Sequence, residues 1–176
     1  MKLKALMLSA ALIIFAHPTE SVADDPQNSA AREMASANYL IGRWECAHSV
    51  GTFSGTYTTT YSRALGDRWL RQTWTFPAQG DQPAVSGEAL MGYDESRQAW
   101  VRFFANSLGL HFETQMTDMP NGWSYKYVSF FPRTTPETQD PDAVFTKQSD
   151  TEYTVDGPTY PQGGTPVTEH HRCHKL

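Results

Sequence analysis

The chain has 176 residues, with 14 Lys and Arg against 19 Asp and Glu, a formal charge of −5, and two cysteines. That acidic balance lacks the basic surface a nucleic-acid partner requires, and the length suits one domain with a core of its own. No P-loop, dinucleotide fingerprint, nucleophile elbow or His-Glu-x-x-His is present, so known hydrolase classes are unsupported.

Met1-Lys2-Leu3-Lys4 leads into an apolar run from Ala5 to Ala16, and Ser21-Val22-Ala23 precedes Asp24-Asp25. This is the pattern of a secretory signal peptide over residues 1–23. The run is too short for a permanent anchor, and no later segment approaches the length needed to span a bilayer as a helix. The expectation is a secreted product without a membrane anchor, in a bacterial periplasm or outside the cell. Cleavage leaves 12 basic and 18 acidic side chains and a formal charge of −6.

Residues 24–39 read as a lead followed by a short alanine-rich helix over Ala30 to Tyr39, beginning near Asn28 or Ser29. Residues 40–176 read as a single β-barrel domain. Short runs of Thr, Tyr, Trp, Phe and Val are punctuated there by Gly, Asp, Asn and Pro. Ten strands are predicted: Ile41 to Val50, Gly55 to Ala64, Arg68 to Phe76, Val85 to Tyr93, Ala99 to Ala105, Gly109 to Thr117, Trp123 to Phe130, Ala143 to Gln148, Glu152 to Val155 and Pro166 to His174. Hairpin-sized connections make this an all-β, up-and-down antiparallel barrel of the calycin or lipocalin kind. Two longer connections, Phe131 to Asp142 and Gly157 to Thr165, are expected to be loops.

Cys46 and Cys173 fall in the first and last predicted strands. In an oxidising compartment two lone cysteines form one structural bridge, worth roughly 3–5 kcal/mol for so long a loop. Side-by-side first and last strands imply a closed sheet, and closed sheets of this size commonly enclose a small ligand. With the cysteines directly opposed, Trp44 faces Lys175 and His48 faces His171, and all six residues share one face. A slip of one residue sets Arg172 on the Trp face instead. Gly42, Trp44 and Lys175 are the residues expected to close one end, an indole plug with a cation over its face.

The stretches Leu40-Ile41-Gly42-Arg43-Trp44-Glu45-Cys46, Ala64-Leu65-Gly66-Asp67-Arg68-Trp69-Leu70 and Leu90-Met91-Gly92-Tyr93-Asp94, with Trp100-Val101-Arg102-Phe103 after them, resemble a bacterial lipocalin-like family of unknown function. The likeness runs from about Leu40 to Cys173 and implies a calycin-type barrel, without supplying a reaction. A related calycin group, the nitrobindins, holds haem through a histidine near the C-terminus, where this chain has His170, His171 and His174. Glu45-Cys46-Ala47-His48 stands where that group has a Gly-rich repeat. No cofactor is therefore expected, with haem as the lesser alternative.

Residues expected to meet a ligand are His48, Tyr57, Tyr61, Glu88, Arg102, His111, Tyr125 and His171. The aromatics supply flat apolar walls. Arg71, Glu88, Arg102, His111 and Glu113 each interrupt a half-apolar strand, and a charge turned inward without a partner points to a ligand carboxylate or a catalytic group. No metal is expected, because bridged cysteines cannot ligate and alternation sets His170 and His174 on the face opposite His171. The leading reading is a barrel that binds a small apolar or amphipathic molecule. The alternatives are an enzyme, an isomerase or hydrolase pairing His48 or His111 with Glu88, Glu113 or Arg102, and a protein-interaction module with a solid core. The oligomeric state is left open.

Overall fold

The computed structural model describes residues 26–131, 143–162 and 165–176. The expected signal peptide and the expected connection beyond Phe131 lie outside them. Helix α1 spans Pro26–Ser36 and is followed by a 3-10 turn at Asn38–Leu40. It starts earlier than the sequence pattern suggests, at a proline, whose fixed φ suits a first helical turn.

Ten strands follow: β1 Gly42–Val50, β2 Phe53–Ala64, β3 Trp69–Phe76, β4 Val85–Asp94, β5 Ala99–Asn106, β6 His111–Met119, β7 Gly122–Phe131, β8 Ala143–Ser149, β9 Glu152–Gln162 and β10 Thr165–Lys175. Each pairs antiparallel with its chain neighbours, and β1 pairs with β10, so the sheet is a closed barrel. Alternation explains the strands locally. In β2, Tyr57, Thr59 and Tyr61 point inward and are buried, while Thr56, Thr60 and Ser62 are exposed.

One connection differs from the sequence reading. Gly157 to Thr165, expected as a loop, is largely strand: Pro161 pairs with Pro166, and Tyr160 with Val167. Prolines ordinarily demote a strand because they cannot donate to the ladder. Here two of them oppose each other, so the missing donors coincide at one rung.

Cys46 and Cys173 are directly opposed and form a disulfide across the β1–β10 seam. The same register sets Trp44 against Lys175 and His48 against His171. At the helix end, Trp44 is fully buried and its Nε1 donates to Leu40 O at 2.7 Å. Lys175 Nζ donates to Tyr39 O at 2.8 Å and lies 5.4 Å from the Trp44 ring centre. Gly42, at φ 129°, lies so close beneath Lys175 that a Cβ would come within 2.9 Å of Lys175 Cε. Leu40, Leu70, Met91, Trp100, Met116, Trp123, Phe145 and Tyr153 fill the interior around this plug. Arg63 ties the helix to the wall by donating to Met34 O at 3.0 Å and to Asn38 Oδ1.

Candidate functional site

Beyond the plug the lumen becomes polar along two stretches of wall. The first is on β3, β5 and β6. Arg102 points inward, and its Nη2 donates to Gln72 Oε1 at 3.1 Å, while Gln72 Nε2 donates to Thr59 Oγ1 at 3.2 Å. Its guanidinium stands 5.1 Å from the Phe104 ring centre and 5.7 Å from that of Phe112, a desolvating position for a cation. Those rings stack at 4.3 Å, and Trp74 stacks on Phe104 at 5.7 Å. No carboxylate among the described residues pairs with Arg102. Its charge nevertheless acts across the interior, opposing the upward pull of burial on the Tyr57, Tyr61 and Tyr125 hydroxyls.

Arg102 is flanked by unmet hydrogen bonding. Thr114, its cross-strand partner, and Trp100, two residues before it, have a buried Oγ1 and Nε1 without a partner. Buried polar groups are normally paired. Arg102 thus donates only to Gln72 beside the unused Thr114 hydroxyl, and the Trp100 N–H goes unmet nearer the plug.

The second stretch is on β1, β2 and β10. His48 Nε2 donates to Glu169 Oε1 at 2.8 Å, and His171 Nε2 lies 3.1 Å from the same oxygen. Tyr57 OH stands 3.0 Å from His171 Nδ1. His48 is only 9% exposed, and its Nδ1 is buried without a partner. Burial pushes the Glu169 carboxyl up, but hydrogen bonds from His171 and His48 outweigh it and hold the group well below the usual carboxylate range. The local sequence permits this arrangement. β9 carries one extra residue opposite Glu169, and a Cβ on Gly157 would come within 2.8 Å of the Glu169 Cβ. An open depression of about 550 Å³ lies on the outer face of these strands, lined mainly by outward residues such as Ala47, Thr56, Asp156, His170 and Arg172.

Of the residues expected at a ligand site, His48 and His171 meet on Glu169, joined by Tyr57. Arg102 reaches the lumen, as does Tyr61, whose hydroxyl pairs with that of Tyr153 at 3.3 Å. Tyr125 follows the inward Trp123 by two residues on β7 and is within electrostatic reach of Arg102. Glu88 and His111 are corrections, because both face outward. Glu88 is 50% exposed and pairs with Arg71 at 2.9 Å, since Ala89 and Met91 take the inward positions of β4. His111 is exposed and stacks on Phe131 at 4.8 Å. Glu113 pairs with Arg97 at 3.1 Å. Among the described residues the carboxylate that meets an inward histidine is thus Glu169, which the sequence reading missed although it precedes His171 by two and so shares its face. Gln72 and Thr114 were missed as well, for no charge or motif marks them. His170 and His174 lie outside, paired with Asp156 and Glu45 at 2.7 and 3.6 Å.

Comparison with family models gives no match for this chain, and neither does a search of curated proteins. What the geometry defines is a disulfide-closed ten-stranded antiparallel barrel, apolar at one end and carrying partnerless polar groups beyond it.

Proposed function

We propose that this protein is a secreted or periplasmic barrel that binds a small amphipathic molecule, its acid group at Arg102 and its apolar body among the lumen aromatics. The observation that carries the reading is the β5–β6 wall, where an inward cation with only an amide partner is paired in register with Thr114, whose buried hydroxyl has no partner. A carboxylate placed there would pair the charge. Leaving such groups unmet costs stability, which a barrel with a purely structural interior would avoid.

Secretion is part of the same proposal. It is supported by the leader pattern of residues 1–23 and by the disulfide, which forms and persists in oxidising compartments. Among the described residues no helix is long and apolar enough to cross a membrane. The lipocalin-like resemblance carried by Gly42-Arg43-Trp44 and Gly66-Asp67-Arg68-Trp69 belongs to this proposal too.

Native mass spectrometry of the protein purified from a periplasm, set against its denatured mass, tests for a retained ligand. Titration with dodecanoate and with dodecanol, followed by tryptophan fluorescence, tests the chemistry. We expect the acid to bind at least tenfold more tightly than the alcohol, and Arg102→Met to abolish that difference while leaving alcohol binding in place. A bare mass together with no binding of either probe overturns the reading.

A further inference from the structure

We propose that His48, Glu169 and His171 form a binding site for a divalent transition-metal ion, with Zn2+ as its probe. This is separate from the acid-binding proposal, which rests on the opposite wall. One ring nitrogen from each of His48 and His171 and a Glu169 carboxylate oxygen all lie within 4.8 Å of one another. Two imidazole nitrogens and one carboxylate oxygen are a donor set that holds Zn2+ with a coordination position left for water or another molecule.

The spacing is within reach of side-chain adjustment. Bonds of 2.0–2.2 Å in a tetrahedral site put neighbouring donors about 3.4 Å apart. The two nitrogens stand 2.8 and 3.1 Å from Glu169 Oε1. A shift of about half an ångström by the carboxylate, with the two imidazoles closing from at most 4.8 Å, therefore reaches the spacing an ion needs.

The surroundings favour this over a purely structural ion pair. Tyr57 contacts His171 Nδ1 from behind, which turns the opposite nitrogen, Nε2, toward the cluster and fixes the ring. The two imidazole ring centres are 4.6 Å apart, and Phe53 and Phe76 pack on His48 at 5.6 and 5.3 Å, so the rings are held by packing as well as by hydrogen bonds. Gly157 provides the room that lets Glu169 lie inward. The exposed His170 and His174 belong to no such group, since each has a single acidic partner on the outer surface.

The test is equilibrium binding of Zn2+, and of Co2+ followed by its visible ligand-field absorption, to the purified protein. We expect one ion per chain at micromolar concentration or below. Glu169→Gln and His171→Ala should each weaken binding more than tenfold, Tyr57→Phe should weaken it roughly tenfold, and His174→Ala should leave it unchanged. A variant that fails to fold is replaced by NMR of the wild-type imidazoles. Zn2+ should then shift His48 and His171 and leave His170 and His174 in place. Dissociation in the millimolar range, binding that persists in Glu169→Gln, or shifts confined to His170 and His174 would each overturn the site.

Discussion

The two ends of this barrel are built from the same strands and obey opposite rules. At the helix end, the Trp44 N–H, the Lys175 ammonium and the Tyr61 and Tyr153 hydroxyls have partners, the buried Trp100 N–H being the exception, and apolar side chains fill the space between them. Farther along, His48 Nδ1 and Thr114 Oγ1 are buried without partners, and Arg102 faces an amide. Since leaving a buried polar group unmet costs about 1–3 kcal/mol, the contrast separates a region organised for stability from one organised to meet something else. The disulfide stands between the two, locking the seam that both share.

The largest expected effect breaks the comparison at its stable end. Trp44→Ala removes a fully buried indole together with its hydrogen bond to Leu40 and should cost about 3–5 kcal/mol in urea unfolding. Trp74, on the polar half of the lumen and only partly buried, should cost less than half as much when replaced by Ala. Equal losses would mean that the two ends are packed alike.

A smaller effect comes from alkaline pH. Burial pushes the Tyr57, Tyr61 and Tyr153 hydroxyls above the ordinary 10.0, so the folded barrel keeps their protons after the unfolded chain has begun to release them. Their contribution is fully present below pH 10 and is lost as pH rises beyond it, by about 1 kcal/mol for each tyrosine at pH 11. Phenolate absorbance should therefore appear for these residues together with unfolding. Ionisation of Tyr61 and Tyr153 in a barrel that stays folded would show that water reaches the plug.

The helix-end architecture was readable in the sequence because it follows from two local facts. A cysteine pair in the terminal strands sets a register, and alternation then carries Trp44 and Lys175 to one face at that end, with His48 and His171 farther along it. The polar half was read only in part. Among the interrupting charges, Arg102 turns inward while Arg71, Glu88 and His111 turn outward, and neighbouring aromatics on both faces hid that distinction in the sequence. Glu169 escaped attention because its inward position depends on the room left by Gly157 across an irregular β9–β10 pairing. Pro161 and Pro166 concealed the outer half of that hairpin, since their pairing is legible only once both strands are placed.

The finest test of the comparison exchanges stability for function at a single residue. Arg102 has a charge inside the barrel, no acidic partner among the described residues and one hydrogen bond to Gln72. A desolvated cation with so little compensation contributes less than a methionine of similar reach packed on Phe104 and Phe112. Arg102→Met should accordingly leave stability unchanged or raise it by about 1 kcal/mol, while removing the preference for dodecanoate over dodecanol. The two readouts must move apart if Arg102 is kept for a ligand. A loss of more than about 2 kcal/mol, the range of a broken hydrogen bond to a charged group, would make Arg102 part of the packed scaffold, and the division of the barrel into two ends would then fail at its central residue.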